Sequence, residues 1–356
     1  MPSPFPNLPA DLRGEVRTLF HDSQALRGNP WGDPATREVQ VLLPAAHRLD
    51  PDRPLPVVLV LAGYAGTGEK LLARGLSDVS LATRIDALLA GRALDLPATT
   101  APPPPFIAVL PDVMSRLGGT QYVDSAALGR YATWLGEELP AWIAGHFATT
   151  GRWGVTGRSS GGFGALHLAA EHPGRFQAVA CQSGDMGFDL AYLGELSHAV
   201  GPLRAAGGPL PFVERFWQER APSGGAFSAL SMLCLAAAYT PLDHALPAGF
   251  PAPLPVDLDT GAVDFALFEA WRRFDPVVRV EDPAVQAALG AIDLLWLDCG
   301  DRDEHHLHLG ARRLVRRLEA LGVAHSYQEF SGGHRGTTWR TDAALDAVAR
   351  ALAGGD

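Results

Sequence analysis

The chain has 356 residues, 47% of them hydrophobic and 19% charged, and a net charge of −10. This apolar content excludes a disordered chain, and the 39 glycines and 29 prolines follow no period, which excludes a collagen-like one. The chain has no basic run, so we expect no nucleic-acid partner.

The cysteines indicate the cellular compartment, and the lengths of the apolar stretches indicate whether the chain could span a membrane. Cys181, Cys234 and Cys299 form no C-x-x-C pair and lie in apolar runs, so we expect buried free thiols, no metal site and a cytoplasmic protein. The first residues lack the basic and apolar regions of a signal peptide. The apolar stretch 226–239 is shorter than the roughly 20 residues that span a bilayer. We predict a buried or lid helix there and no membrane span.

Short apolar runs alternate with helical patterns along the chain. The runs predict strands at 38–43, 56–61, 106–110, 152–155, 177–181, 292–297 and 326–330. Helical patterns cover 128–147, 162–171, 307–321 and 341–352. Several strands are continuously apolar, which is typical of parallel strands buried on both faces. The alternation predicts an α/β protein, with a mostly parallel sheet covered by helices on both faces.

Residues from about 186 to 280 interrupt this alternation. The segment is long, rich in glycine, proline and aromatic residues, and shows no convincing strand. We interpret the whole chain, 1–356, as a single domain with a cap inserted between two late strands. Long insertions of this kind serve as functional lids, and the alternative is a cover for one edge of the sheet.

A glycine-framed serine follows the predicted strand at 152–155. Residues 157–161 read Gly-Arg-Ser-Ser-Gly and are followed by a helical pattern, as in a nucleophile elbow. The pattern places Ser159 on the turn, with Gly157 and Gly161 where a Cβ would clash. Ser160 is excluded as the nucleophile, because the motif would then need a glycine at position 158, which is occupied by Arg158. The alternative is an ordinary Gly-Ser turn before a helix.

A nucleophilic serine needs a histidine base, which in α/β-hydrolases follows the serine and an acid in the chain. Nine histidines are disfavoured by their position before the serine, inside predicted helices, in the insertion or before the last strand: 21, 47, 146, 167, 172, 198, 244, 308 and 325. His334 follows the last strand in a Ser-Gly-Gly-His loop and is the predicted base. His305 and His306 are interpreted as the solvated start of a helix.

The acid that orients His334 should follow the strand at 292–297. Its candidates there are Asp298, Asp301, Asp303 and Glu304, and we favour Asp303 because it lies deep in the loop. Asp298 belongs to the strand end, and Asp301 and Glu304 flank an arginine as in a solvated charge cluster. The main alternative outside this loop is Asp185, at the end of the strand that follows the elbow.

Backbone N–H groups should hold the oxyanion that forms during acyl transfer. One candidate donor is Ser160, the residue after the nucleophile. The other is Tyr64, in the loop 62–66 that reads Ala-Gly-Tyr-Ala-Gly after the strand at 56–61. The alternative for this loop is a plain glycine turn.

Motifs of a known family run through most of the chain. They are 25–30 (Ala-Leu-Arg-Gly-Asn-Pro), 32–34, 61–64, 118–122 (Gly-Gly-Thr-Gln-Tyr), 157–161, 183–185, 300–304 and 333–334. With them the chain resembles the esterase branch of the α/β-hydrolases that includes esterase D-like and enterochelin-esterase-like proteins. The resemblance implies an α/β-hydrolase fold and the triad of Ser159, Asp303 and His334. It implies no cofactor.

The sequence therefore predicts a serine hydrolase that cleaves small carboxylic esters through an acyl-enzyme. Cap residues would wall the acyl pocket, or else form the core of the cap itself: Phe212, Phe216, Trp217, Met232 and Tyr239. The alternatives are an acyltransferase or a peptidase with the same triad, and a non-catalytic binding protein on a hydrolase fold.

Overall fold

The computed structural model describes residues 8–75, 79–97, 101–220, 222–243 and 249–354. Within them, ten strands are β1 (Glu15–Asp22), β2 (Thr36–Leu43), β3 (Leu55–Leu61), β4 (Ile107–Pro111), β5 (Asp124–Ser125), β6 (Gly129–Arg130), β7 (Thr149–Arg158), β8 (Ala178–Gln182), β9 (Leu294–Gly300) and β10 (Ser326–Phe330). Eight of them form one sheet in the order β1-β2-β4-β3-β7-β8-β9-β10, and β5 and β6 pair separately. β1–β2 and β2–β4 are antiparallel, and every other pair in the large sheet is parallel.

Helices connect the strands. In chain order, the α-helices are α1 (Ala45–Leu49), α2 (Gly68–Leu72), α3 (Leu81–Leu89), α4 (Tyr131–Thr133), α5 (Leu139–Ala144), α6 (Ser160–Glu171), α7 (Phe188–Ala191), α8 (Leu196–Ala206), α9 (Pro209–Gln218), α10 (Gly224–Tyr239), α11 (Phe265–Arg272), α12 (Pro276–Arg279), α13 (Pro283–Gly290), α14 (Leu307–Leu321) and α15 (Arg340–Ala353). A short 3₁₀ helix covers Ala10–Leu12. The architecture is the predicted α/β class with an eight-stranded, mostly parallel sheet.

All seven predicted strands are present, with ends shifted by up to three residues, but the sequence missed β1. This edge strand is exposed along most of its length, and Val16 and Phe20 point outward. An exposed edge strand lacks the apolar run by which a buried parallel strand is found. The missed strand lies at the far edge of the sheet from β9 and β10.

The helix predicted at 128–147 is shorter and irregular. The helical part covers α4, a π-helical stretch at Trp134–Glu138, and α5. Pro140, near the start of α5, has no N–H to donate, so the hydrogen-bond ladder is interrupted directly after the π-helical stretch. The apolar pattern predicted a helix here but did not indicate that its middle part is π-helical.

The segment between β8 and β9 contains the predicted insertion. It is helical over α7–α13 and has, among its described residues, one isolated bridge between Val256 and Val263. The predicted helix at 226–239 is α10, which is buried along most of its length. Position 244, one of the disfavoured histidines, lies outside the described residues.

Two apolar layers cover the sheet. One layer contains α6, α14 and the helices of the insertion, and the other contains α3 and α15. Cys181, Cys234 and Cys299 are buried free thiols, as predicted. No helix in the described part of the chain is long and apolar enough to span a bilayer. The carboxyl ends of the parallel strands β3, β7, β8 and β9 lie on the same side of the sheet, and ligands bind outside these ends in such folds.

Candidate active site

Ser159 occupies a strained turn between β7 and α6. Its backbone has φ 58° and ψ −126°, which places a non-glycine residue in the left-handed half of conformational space. A Cβ on Gly157 would lie 2.4 Å from the Gly161 carbonyl oxygen, and one on Gly161 would lie 2.4 Å from the Leu61 carbonyl oxygen. Backbone strain of this kind is characteristic of functional turns. Both glycines are therefore required for the strand, turn and helix to meet at Ser159.

His334 lies beside Ser159 although 175 positions separate them in the chain. Its Nε2 atom is 3.0 Å from Ser159 Oγ, and its Nδ1 atom is 2.7 Å from Asp303 Oδ2. Both distances are within hydrogen-bond range. The structure thus brings the predicted nucleophile, base and acid into one chain of hydrogen bonds.

Asp303 is buried and held from several directions. Its Oδ1 atom accepts a hydrogen bond of 2.9 Å from the His305 N–H, and Cys299 Sγ lies 3.9 Å from Oδ2. Burial by itself raises the pKa of Asp303, but the hydrogen bond and the charge of His334 outweigh it and lower that pKa overall. Asp303 is therefore a carboxylate fixed against one nitrogen of His334.

Asp185, the alternative acid, contacts the nucleophile and not the base. Ser159 Oγ lies 3.3 Å from Asp185 Oδ1, and the Tyr192 hydroxyl donates a hydrogen bond of 2.8 Å to Oδ2. Burial raises the pKa of Asp185, against the hydrogen bond from Tyr192 and the charge of His334. Gly184 packs against α6 so closely that a Cβ there would lie 2.9 Å from the Gly162 carbonyl carbon. This close packing holds the Asp185 side chain at the elbow.

The oxyanion donors predicted from the sequence flank Ser159. Ser160 is the first residue of α6, so its N–H has no acceptor inside the helix. Gly63 packs against the elbow, since a Cβ there would lie 3.5 Å from Ser159 Cβ. No acceptor for the Tyr64 N–H lies among the described residues. Two backbone donors are thus available beside the nucleophile.

The segment 117–122 fixes the loop that carries Tyr64. The Tyr64 hydroxyl donates to the Leu117 carbonyl oxygen at 2.8 Å, and the Ala65 N–H donates to the Gly118 carbonyl oxygen at 2.9 Å. The Tyr122 hydroxyl donates to the Ala62 carbonyl oxygen. The loop is therefore held from both ends, as a preorganised donor requires.

Three residues of the acidic loop contribute more than the sequence predicted. Glu304 accepts a hydrogen bond of 2.6 Å from the His334 N–H, and Asp301 accepts one of 2.9 Å from the Gly332 N–H. The rings of His305 and His334 meet edge to face at 4.9 Å. Glu304, His305 and His306 are exposed and His306 directly precedes α14, as expected of a solvated helix start. The sequence did not show that Asp301, Glu304 and His305 also support the loop or the ring of His334. Only the folded chain brings residues 301–305 against residues 332–334.

Asp298 belongs to the strand end, as predicted, and is paired with a distant arginine. Arg340 Nε donates a hydrogen bond of 2.8 Å to Asp298 Oδ2, and the carboxylate is almost fully buried. Burial raises the pKa of Asp298 to about 6, although Arg340 opposes that rise. Asp298 therefore ties α15 to β9 and contacts neither Ser159 nor His334.

Ser159 and His334 open on a cleft of about 540 Å³. One wall comes from the insertion and α14: Ala191, Tyr192, Glu195, Phe227, Ser228, Ser231, Met232, Leu235 and Leu307. The other wall comes from the loop at 63–65, from Lys70 and from the elbow. A cleft of this size is typical of small-molecule sites.

Of the five cap residues predicted to line the acyl pocket, only Met232 does so. Phe212 and Phe216 are buried within the cap, and Tyr239 stacks under the site between Phe188 and Phe274. Trp217 is half exposed and donates to a carbonyl oxygen of another loop. Phe212, Phe216 and Tyr239 therefore fit the alternative, the core of the cap itself, and the half-exposed Trp217 fits neither interpretation.

The fold and the site together define the α/β-hydrolase class. A family model described as "Putative esterase" matches residues 34–348, and the chain belongs to this family of ester hydrolases. No curated protein matches the chain.

Solved structures share this fold along nearly the whole chain. A ferulic acid esterase is 18% identical, with a TM-score of 0.56 over 96% of this chain and 99% of that one. An S-formylglutathione hydrolase from Agrobacterium tumefaciens is 19% identical, with a TM-score of 0.55 over 96% of each chain. A ferulic acid esterase from the fungus Anaeromyces mucronatus is 15% identical, with a TM-score of 0.52 over 97% of each chain. At these identities the likeness establishes the fold.

Proposed function

We propose that this protein hydrolyses carboxylic esters through an acyl-enzyme formed on Ser159. The observation that carries the proposal is the hydrogen-bonded series Ser159–His334–Asp303, with distances of 3.0 and 2.7 Å. A hydroxyl is a weak nucleophile until an adjacent base takes its proton, and this series supplies that base. Membership of the esterase family supports the choice of an ester as substrate.

The reaction divides into two half-reactions. Ser159 Oγ attacks the ester carbonyl carbon while its proton passes to His334 Nε2, and Asp303 stabilises the imidazolium. The N–H groups of Ser160 and Tyr64 hold the tetrahedral oxyanion. As the C–O bond to the alcohol breaks, His334 protonates the departing oxygen and an acyl ester remains on Ser159.

Water then releases the acid. His334 Nε2 takes a proton from water as the water oxygen attacks the acyl carbonyl carbon. The second tetrahedral intermediate collapses, the bond to Ser159 Oγ breaks, and that oxygen recovers its proton from His334. The carboxylic acid leaves, and the site returns to its starting protonation.

Covalent labelling by a fluorophosphonate tests the nucleophile directly, because only an activated serine reacts. Ser159→Ala should abolish labelling and lower kcat by several orders of magnitude, as loss of a triad member does. Ser160→Ala is the matched control, since it keeps the backbone N–H and changes only the neighbouring hydroxyl. Loss of labelling in Ser160→Ala but not in Ser159→Ala would refute the assignment.

A panel of esters, amides and alcohol acceptors tests the reaction type. We expect hydrolysis of nitrophenyl esters and little cleavage of the matched anilides. Acyl transfer to an added alcohol in preference to water would instead identify an acyltransferase. A chain that is labelled but turns over no ester or amide would contradict the proposed hydrolysis.

A further inference from the structure

Basic side chains line one part of the cleft beside the reacting atoms. Arg158 directly precedes Ser159 and Arg335 directly follows His334, so both lie next to the 3.0 Å contact between nucleophile and base. Lys70, on α2 just after the oxyanion loop, lines the same cleft. Three cations therefore face the site of ester cleavage in a protein whose net charge is −10.

Two of these cations have no partner in the part of the chain that the structure describes. Among the described residues, no hydrogen bond or ion pair engages the ammonium of Lys70 or the guanidinium of Arg335, and both side chains are exposed. Arg158 differs, because it donates a hydrogen bond of 2.9 Å to Thr337 Oγ1. Lys70 is also the only lysine among the 29 basic residues of the chain. A lysine presents a compact charge on a flexible stem, which suits a mobile anionic group.

Among the described residues, no ion pair joins the acidic groups that line the cleft to Lys70 or Arg335, because those groups contact other partners. Asp185 uses both oxygens in contacts with Ser159 and Tyr192. Glu195 lies 3.3 Å from His198 Nδ1. The positive charge of Lys70 and Arg335 therefore faces the open cleft.

The wall contributed by α10 combines three apolar residues with Ser228 and Ser231. Met232 and Leu235 are buried in it, and Phe227 lies at its edge with 44% of its surface exposed. The Phe227 ring is held edge to face against Phe216 at 5.5 Å. An exposed aromatic ring that is fixed from behind offers a firm surface to an apolar part of a ligand. The cleft thus combines a partly apolar wall with a cationic rim.

We propose that the substrate is an anionic ester, in which an apolar portion packs against α10 and a carboxylate or similar anionic group meets Lys70 and Arg335. This proposal rests on the proposed function and adds the substrate class to it. A negative protein repels an anionic ligand at long range, so the local cations have to supply the attraction at contact. The selectivity should therefore be electrostatic and should weaken with salt.

Two pairs of substrates test the proposal. On the acyl side, nitrophenyl hexanoate is compared with the hemi-ester of adipate, in which a carboxylate replaces the terminal methyl group. On the alcohol side, the hexanoate ester of 4-hydroxybenzoate is compared with that of its methyl ester. For each pair the measured quantity is the ratio of kcat/KM for the anionic and neutral esters. Comparing this ratio between protein variants cancels differences in intrinsic reactivity.

Lys70→Gln and Arg335→Gln should each lower this ratio by about five-fold, the effect of one contact charge in water. Lys70→Glu should lower it further, and high salt should reduce the wild-type ratio. The substrate pair that responds shows whether the anion lies on the acyl or the alcohol portion. Arg53→Gln is the matched control. It removes an exposed arginine just before the amino end of β3, whereas the cleft lies at the carboxyl ends of the strands, and it should leave both ratios unchanged.

Failure of this inference is distinct from failure of the proposed function. If neutral esters are hydrolysed in a Ser159-dependent manner but neither cation changes either ratio, the anionic substrate class is wrong and the esterase stands. Wild-type turnover too slow to measure on both anionic esters would also overturn it. If neutral hydrolysis survives Ser159→Ala, the proposed function itself fails.

Discussion

Asp185 Oδ1 lies 3.3 Å from Ser159 Oγ, while Asp303 Oδ2 lies 2.7 Å from His334 Nδ1. The serine and histidine therefore each contact a separate carboxyl group. Asp303 is placed to orient the imidazole through the nitrogen that faces away from the serine. Asp185 is placed to interact with the serine hydroxyl and, through space, with the charge that forms on the imidazole. The two acids should have effects that differ in size and in pH dependence.

Asp303→Asn should lower kcat by about 10⁴-fold, the cost of the same change in a well-studied triad. The amide cannot stabilise the imidazolium and favours the wrong tautomer. Steady-state kinetics on a nitrophenyl ester, with thermal unfolding to verify the fold, would measure this. Asp52→Asn, on an exposed turn before β3, is the matched control and should change little. Asp301 and Glu304 do not serve as controls, because both bind the loop of His334.

Asp185→Asn should cost less than Asp303→Asn, about ten-fold in kcat, and should also move the pH profile. A histidine base must be neutral to accept the serine proton, so kcat/KM should rise with pH on the acid side of the profile. Removing the negative charge of Asp185 makes a protonated imidazole less stable, which should shift this rise downward by up to about 1 pH unit. A full profile of kcat/KM against pH measures the shift. An unmoved or upward-shifted profile would contradict a charged Asp185 beside the base.

Gly63→Ala should lower kcat by about ten- to a hundred-fold, part of the cost of losing one oxyanion donor. The new Cβ would lie 3.3 Å from the Arg158 carbonyl oxygen, a tight contact that the loop or the elbow has to relieve by a shift of a few tenths of an ångström. Fluorophosphonate labelling rates and kcat would report this shift. Gly290→Ala, at the end of α13 with open space around it, is the control and should leave both unchanged. Equal effects of the two substitutions would argue against the loop as a donor.

Asp298 should make the stability of the protein fall as the pH rises from about 4 to 6. Its pKa in the folded protein is raised to about 6, so the unfolded chain ionises first and the folded state loses stability over that range. A rise of about two pH units corresponds to about 3 kcal/mol. The free energy of unfolding of Asp298→Asn minus that of wild type should therefore increase by about this amount between pH 4 and pH 7. Denaturant unfolding at several pH values measures this difference in unfolding free energy. A difference that does not change with pH would contradict the raised pKa of Asp298.

The order of elements and much of the candidate site follow from local sequence. A short, continuously apolar and valine-rich run such as 57–61 favours a strand buried on both faces, so the parallel part of the sheet was predictable. The glycines around Ser159 were predictable for a related reason. A strained turn between a strand and a helix leaves no room for a Cβ two residues before and two residues after the serine. The five consecutive residues 157–161 show this requirement directly, as glycine at both positions. The loop that carries His334 is marked in the same way by its two glycines.

Contacts between distant segments were decided only by the tertiary structure. The sequence ranked Asp303 above Asp185 by loop depth, but only the paired ends of β8, β9 and β10 show which carboxyl faces His334 and which faces Ser159. The roles of Glu304 and Asp301 were hidden for the same reason, because a hydrogen bond across about thirty residues leaves no local pattern. Aromatic residues of the cap looked alike in sequence, yet packing buried Phe212 and Phe216 and left Met232 at the cleft. Local sequence encodes strain and periodicity, whereas the choice among chemically equivalent side chains depends on which surfaces the folded chain brings together.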